Sequence, residues 1–157
     1  ALFVSVTISK LEMNHPVLLL SRRPEKGAVV KVEDELPLTV SQGIIGDYYS
    51  GTSRKRQVTL MQESFLQELS RIMGFEVTMA MTRRNILVRF DALTELIGKE
   101  FRLGSAVLKG TGHCRPCEKM NSTIGPGGHQ AMKGRGGITA CVLEDGIIHC
   151  GDVLGLT

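Results

Sequence analysis

Residues 57–74 read QVTLMQESFLQELSRIMG and contain both kinds of element from which the chain is built. The first four residues form a short run with branched side chains, which is typical of a β-strand. From Gln62 onward, apolar residues recur at helical spacing on one face, and Gly74 is a natural end for a helix. These apolar residues are Phe65, Leu66, Leu69, Ile72 and Met73. The segment therefore predicts a strand that is followed by the one clear helix of the chain.

Strand signals outnumber helical signals in the rest of the sequence. Short runs rich in branched residues occur at 17–20, 28–32, 85–90 and 106–110, and a second helical turn is predicted at 92–97, before Gly98. Many short strands together with 18 glycines favour a closed or nearly closed barrel, because closure removes exposed strand edges. The prediction is a mostly β fold, a closed or nearly closed β-barrel with a few short helices.

The bulk composition limits the class of protein. A length of 157 residues is the usual size of one domain, so we expect a single domain over 1–157. No apolar run is long enough to span a bilayer, and residues 1–10 alternate like a strand rather than a signal peptide. Four cysteines without a secretory signal indicate a reducing compartment, so we expect a cytoplasmic protein. A net charge of +3 with 4% aromatic residues makes nucleic acid an unlikely partner but allows a small anion.

The C-terminal third begins with a segment that lacks the strand signals of the rest of the chain. Residues 110–137 carry no convincing strand, and such a long irregular segment is usually functional. Within it, glycines flank a short stretch with His129 and Lys133 that is predicted to be helical. Farther on, Asp145-Gly146 lies between two apolar runs and predicts a two-residue hairpin. That hairpin would bring Cys141 opposite Cys150, close enough for a disulfide, although a reducing compartment favours two packed thiols.

The segment His113-Cys114-Arg115-Pro116-Cys117 carries the strongest chemical signal. A C-x2-C pair is half of a zinc site, a redox pair or a reactive thiol beside a neighbour. The other two cysteines are spaced C-x8-C, which fits no zinc-finger pattern, and a thioredoxin-like motif needs a βαβ unit that is not predicted here. The remaining interpretation is a nucleophilic or metal-binding thiolate, with Cys117 as its centre, because neighbouring positive charge and a polar loop favour a thiolate.

Three weaker signals suggest groups that support such a site. Asp47 follows a glycine at a predicted turn, where a carboxylate organises backbone or a guanidinium. Arg83, Arg84 and Asn85 directly precede an apolar strand, and arginine is suited to bidentate capture of phosphate. Arg135 lies between glycines, which let backbone amides approach an anion.

Taken in order, these motifs resemble the MOSC domain, the module named for the C-terminal part of molybdenum-cofactor sulfurases. The match runs from Gly43 to the C-terminus, and we expect a stand-alone, bacterial-type member. The matching motifs are residues 43–47, 56–60, 83–86, 96–99, Gly104, 114–117, 137–140 and 151–152. The resemblance implies a strand-rich barrel and one cysteine that carries sulfur or ligates molybdenum, which corresponds to Cys117.

The resemblance also implies a cofactor and the residues that bind it. In the relatives that bind molybdenum, which include amidoxime-reducing proteins, a cysteine thiolate ligates the metal of a pterin cofactor, and arginines and polar residues hold its phosphate and pterin. By resemblance, the molybdenum cofactor (molybdopterin) would be bound by Cys117 as metal ligand, by Arg56, Arg84 and Asn85, and by Asp47 as organiser. Pyridoxal phosphate binding is a further implication.

Two functions follow from the resemblance, and a third class stays open. Cys117 either ligates molybdenum during reduction of an N-hydroxylated substrate or carries sulfur as a persulfide. The 157 residues include neither the N-terminal barrel of the amidoxime reducers nor a desulfurase domain, so we expect a separate cysteine desulfurase or electron-transfer protein as partner. The alternative is a non-enzymatic, anion-binding barrel module with structural cysteines or with a structural zinc at Cys114 and Cys117.

Overall fold

The computed structural model describes residues 14–48 and 53–156, in which strands are the main regular structure. The predicted strand in residues 1–10 lies outside the described residues. Eleven strands follow one another in the described part of the chain: β1 Val17–Arg22, β2 Lys31–Glu33, β3 Glu35–Thr39, β4 Gly43–Ile44, β5 Val58–Gln62, β6 Ile86–Val88, β7 Glu100–Leu103, β8 Ala106–His113, β9 Ile138–Glu144, β10 Gly146–His149 and β11 Leu154–Leu156.

The helices are short, with one exception. They are α1 Glu63–Met73, α2 Met79–Thr82, α3 Met120–Thr123 and α4 Gly128–Met132, with 3-10 turns at Arg54–Arg56 and Leu93–Leu96. The predicted helix is confirmed as α1, and Gly74 ends it in the left-handed conformation with φ 80°. Its predicted apolar face is only partly buried, because Leu66 and Leu69 pack inside whereas Ile72 is 43% exposed. No helix within residues 14–48 and 53–156 is long and apolar enough to cross a membrane.

The strands form two sheets. The larger sheet has eight strands in the order β11-β7-β8-β9-β5-β6-β1-β2, and the smaller has the order β10-β3-β4. Neighbours in both sheets are antiparallel except β5 and β6, a parallel pair whose connection contains α1 and α2. The buried core contains residues from both sheets, among them Leu36, Leu38, Leu60, Phe101 and Ile148.

The prediction of a closed barrel is not confirmed. Among the described residues, the large sheet ends at β11 on one side and at β2 on the other, with no ladder between them. An isolated antiparallel bridge joins Pro16 to Val153, next to the starts of β1 and β11. Proline has no N–H to donate, so this position cannot take part fully in a ladder.

The predicted Asp145-Gly146 hairpin is wrong. The strand before it, β9, pairs with β5 and β8 in the large sheet, whereas β10 after it pairs with β3 in the small sheet. The Asp145 carboxylate accepts a hydrogen bond from the Val40 N–H at 2.7 Å, which holds the chain where it passes between the sheets. Gly146 is needed for a different reason than a tight turn, since a Cβ there would collide with the backbone of Ser105 and Ala106.

The segment predicted to be irregular contains more regular structure than expected. β8 continues to His113, so it enters residues 110–137 and ends beside the two cysteines. α3 and α4 occupy the middle of the segment, and α4 is the short helix that the stretch around His129 predicted. Both helices join α1 and α2 around a second buried cluster, which includes Met61, Leu69, Met79, Met120 and Met132.

Candidate functional site

The cysteine loop begins where β8 ends. The Cys114 N–H donates to the carbonyl oxygen of Gly137 at 2.9 Å, and the Cys117 carbonyl oxygen accepts from the Met120 N–H at 3.0 Å at the start of α3. Cys114 is buried, with 1% of its surface exposed, whereas Cys117 is exposed. The loop is thus attached at both ends, and it presents the second cysteine to solvent.

Arg84 joins the cysteine loop to the start of β6. Its guanidinium donates to three carbonyl oxygens: that of Gly136 at 2.8 Å, of Thr82 at 3.0 Å and of Cys114 at 3.2 Å. The backbones of Gly136 and Cys114 lie close together here, since a Cβ on Gly136 would collide with the Cys114 carbonyl oxygen. Arg84 therefore positions the backbone of the site.

Two arginines and two cysteines lie near the Arg84 guanidinium. Burial lowers the pKa of Arg84. The nearby Arg56 and Arg23 lower this pKa further, whereas Cys114 and Cys117 raise it. Arginine nevertheless keeps its charge at any physiological pH. Arg56 and Arg84 thus place positive charge beside the two cysteines, whereas the charge of Arg23 is paired with Asp47.

Arg56 contacts the buried cysteine directly. It ends the 3-10 turn Arg54–Arg56, and its Nη2 lies 3.6 Å from the Cys114 sulfur. The structure therefore brings three of the predicted residues, Arg56, Arg84 and Cys117, to one loop. It adds Cys114 to them as the thiol that Arg56 contacts.

Asp47 and Asn85 form a buried network beside this loop. Asp47 accepts from the backbone N–H of Arg23 at 2.7 Å, and its Oδ2 lies 3.0 Å from Arg23 Nη2. Asn85 is fully buried: its Oδ1 accepts from the Thr59 N–H and hydroxyl, and its Nδ2 donates to Asp47 and to the Ser21 carbonyl oxygen. Asp47 and Asn85 are therefore engaged with protein groups beneath the site.

Arg23 is a residue of the candidate site that the sequence did not indicate. It belongs to the Arg22-Arg23 cluster, which on composition alone is typical of solvated surface. Arg22 fits that interpretation, since it pairs with Glu33 at the surface, but Arg23 is 6% exposed and pairs with Asp47. The available signal was its position directly after an apolar strand, since Arg83 and Arg84 likewise lie beside the end of an apolar strand, in their case before β6.

Arg135 has a structural partner instead of the open anion site that its glycines suggested. Its Nη2 lies 3.0 Å from Oε1 of Glu68 on α1, and its Nη1 donates to the Ala131 carbonyl oxygen. The hydrogen bond to Glu68 raises the pKa of Arg135. The pair ties α1 to the end of α4.

A small cavity of about 220 Å³ lies against the inner side of the cysteine loop. Its walls are Phe65 and Thr94, residues 113–116, and Gly134, Gly136 and Gly137. The cavity borders Cys114 and the peptide that leads to Cys117, but Cys117 itself does not line it.

Comparison with known proteins identifies the family. A family model described as MOSC domain matches residues 45–155, which include the complete cysteine loop and the Arg84 segment. The chain belongs to the MOSC domain family. This family is associated with the molybdenum cofactor, and the resemblance inferred from the ordered motifs is thereby confirmed.

Solved structures support the same fold for this MOSC domain. The YUAD protein from Bacillus subtilis is 22% identical with a TM-score of 0.78, over 89% of this chain and 93% of that one. YiiM from Geobacillus stearothermophilus is 15% identical with a TM-score of 0.75, over 91% of this chain and 75% of that one. YiiM from Escherichia coli is 22% identical with a TM-score of 0.71, over 92% and 70%. No curated protein sequence matches the chain.

The cysteines of this MOSC domain do not form a zinc cluster in the part of the chain that the structure describes. No three His, Cys, Asp or Glu side chains there are arranged to hold a metal ion. Cys141 and Cys150 are free thiols, as expected, but only Cys141 is packed: it is buried in β9, whereas Cys150 follows β10 and is exposed. Burial of its sulfur and the nearby Asp34 raise the pKa of Cys150.

Proposed function

We propose that this MOSC domain binds the molybdenum cofactor, with the Cys117 thiolate as protein ligand of molybdenum, and reduces an N-hydroxylated substrate there. One observation carries the proposal. Cys117 is an exposed thiol on a loop that the buried, positively charged Arg84 holds in place. Such a thiol is accessible to a large ligand, and hydrogen bonds hold the backbone of its loop in place.

The donor set fits a metal that arrives with most of its own ligands. Since no cluster of three metal-binding side chains exists among residues 14–48 and 53–156, the site offers a single thiolate rather than a cage. A pterin dithiolene cofactor supplies the remaining sulfur donors, and a soft thiolate suits such a centre. The positive charge of Arg56 suits the anionic phosphate of the same cofactor, whereas Arg84 adds positive charge but donates its hydrogen bonds to backbone carbonyl oxygens.

The roles of the protein groups follow from their contacts. Arg84 keeps the backbone of Cys114 and Gly136 in place through its carbonyl contacts. Arg56 contacts the sulfur of the buried Cys114 at 3.6 Å, and Cys117 is the exposed thiol of the loop. Arg23, Asp47 and Asn85 hold the strand ends beneath the loop. When bound, the cofactor supplies the two-electron redox chemistry, and an electron-transfer partner supplies the electrons.

Metal content tests this proposal. Protein purified from a host that makes the cofactor is expected to contain about one molybdenum per chain by mass spectrometry of the metal, together with pterin fluorescence after oxidation. Cys117→Ala is expected to lose the metal, whereas Cys150→Ala, which removes another exposed free thiol, is expected to retain it. Equal molybdenum content in wild type and Cys117→Ala contradicts the proposal.

A persulfide carrier is the second candidate, because the exposed thiol has a second thiol three residues before it. In this reaction, the Cys117 thiolate attacks the outer sulfur of a desulfurase persulfide; a new S–S bond forms at Cys117, and the desulfurase thiolate leaves. Incubation with a cysteine desulfurase and cysteine is then expected to add one sulfur atom to Cys117 in metal-free protein, as seen by mass spectrometry. Absence of this adduct excludes the carrier role.

The non-enzymatic alternative makes the opposite prediction for the same residue. If the domain only binds an anion and its cysteines only pack, Cys117→Ser leaves ligand binding and metal content unchanged. Pyridoxal phosphate binding stays a prediction as well, and the absorbance of a lysine aldimine in the purified protein tests it.

A further inference from the structure

Arg83 is buried and lacks part of the hydrogen bonding that a guanidinium needs. Its residue is 7% exposed, and Nη1 donates to the Ala28 carbonyl oxygen at 2.6 Å. Nη2 is buried with no hydrogen-bond partner in the described part of the chain, and no ion pair there involves Arg83. Buried polar groups nearly always have partners, and a buried charge without one is costly.

The adjacent Arg84 differs from Arg83 in its hydrogen bonding. Arg84 donates to three carbonyl oxygens, so its side chain is already satisfied by the protein. Arg83 has φ 61°, which turns the backbone between the two residues and sends their side chains to different places. Of the two guanidiniums that the sequence suggests for an anion, Arg83 is the one with unused donor capacity.

Arg83 lines a cavity of about 290 Å³. Apolar walls come from Val30, Ala80 and Met81, and the rest of the lining is Thr123 of α3 together with residues 27–29. Its volume is near the lower end of the range for ligand sites, which limits an occupant to a small molecule. The cavity shares no lining residue with the one beside the cysteine loop.

We propose that Arg83 binds the phosphate or carboxylate group of a small molecule whose apolar part occupies this cavity. The anion accepts from Nη2 and compensates the buried charge, while Val30, Ala80 and Met81 contact the apolar part. Because Nη2 is covered, the segment with Ala28 shifts outward on binding. The neighbouring Val29 side chain is 87% exposed, so this movement breaks little packing there. The proposal does not depend on the role of Cys117.

Binding of simple anions tests the site. The full chain is purified from a host unable to make the molybdenum cofactor and titrated with inorganic phosphate, phenyl phosphate and benzoate, using calorimetry and thermal unfolding. We expect phenyl phosphate to bind and to raise Tm, since a ligand of the native state stabilises it. Arg83→Gln is expected to weaken binding by at least about tenfold, because the charge-assisted contact is lost.

Two further variants separate a local effect from a general one. Lys26→Gln removes an exposed positive charge from the same loop and is expected to leave affinity unchanged. Ala80→Leu fills the cavity but keeps the guanidinium, so it is expected to abolish binding of phenyl phosphate and to preserve binding of inorganic phosphate. The proposal is overturned if folded wild type binds none of the three anions, or if Arg83→Gln binds phenyl phosphate as wild type does.

The source of the natural anion is decided by a second arm. Protein that is loaded with the molybdenum cofactor is titrated with phenyl phosphate in the same way. Loss of binding on loading supports the proposal with the phosphate of the cofactor as the natural occupant of the cavity. Unchanged binding supports it with a separate anionic small molecule.

Discussion

The guanidinium of Arg84 donates to the carbonyl oxygen of Cys114 at 3.2 Å, and this contact links the start of β6 to the loop that carries the exposed thiol. The same side chain also holds Gly136 and Thr82. The geometry of the cysteine loop therefore depends on a residue from a distant part of the sequence.

Arg84→Lys tests this dependence. An ammonium group cannot reach three carbonyl oxygens with the planar geometry of a guanidinium, so at least one buried carbonyl group loses its partner. We expect the free energy of unfolding in urea to fall by about 2–3 kcal/mol, together with the molybdenum content. Arg102→Lys on exposed β7 surface is the matched control and is expected to change neither. Equal stability of Arg84→Lys and wild type contradicts the positioning role.

Asp47→Asn tests the buried pair with Arg23. The variant keeps the shape of the side chain but removes the negative charge that faces Nη2 of Arg23 at 3.0 Å. Breaking a buried ion pair from one side is costly, so we expect a loss of about 3–5 kcal/mol in denaturant unfolding. Glu68→Gln breaks the partly exposed pair with Arg135 and is expected to have little effect, as is usual for surface pairs. A comparable effect of both variants argues against this assignment.

Gly136→Ala tests the close approach at the cysteine loop. The added Cβ collides with the Cys114 carbonyl oxygen, so the loop must move away from Arg84. We expect a destabilisation of about 1–3 kcal/mol and faster alkylation of Cys114, which is buried in the native protein. Gly112→Ala in β8 is the control, because a Cβ there meets only the Thr139 hydroxyl at 3.8 Å. Unchanged protection of Cys114 in Gly136→Ala counts against the proposed contact.

Cys150 gives a prediction about pH. Burial, followed by the charge of Asp34, raises its pKa in the folded protein, so the native state holds the thiol proton more tightly than the unfolded chain does. The resulting stabilisation is present below the unfolded pKa of about 8.5 and is lost as pH rises through the folded pKa. Alkylation of Cys150, followed by mass spectrometry, is expected to reach half its maximal rate at higher pH in native protein than in urea. Identical midpoints contradict the prediction, and Cys150→Ser is expected to remove this part of the pH dependence of stability.

The sequence alone predicted elements whose signals are local. The spacing of Leu66 and Leu69 and the position of Gly74 predicted α1, because helix periodicity and capping act within a few residues. The Asp145-Gly146 hairpin also looked local, yet it is wrong, because β10 pairs with β3, more than a hundred residues earlier in the chain. Strand pairing is decided by distant partners, which a turn motif does not reveal.

The sequence by itself determined the amphipathic helix, the family and the loop that carries Cys117. Only the tertiary structure decided which charged residues are available for chemistry. Arg83 and Arg84 are neighbours of the same type, but the positive φ at Arg83 directs one to a cavity and the other to three carbonyl oxygens. The reason is physical: the availability of a side chain depends on which distant backbone and side-chain groups satisfy it, and those groups meet only when the sheets pack.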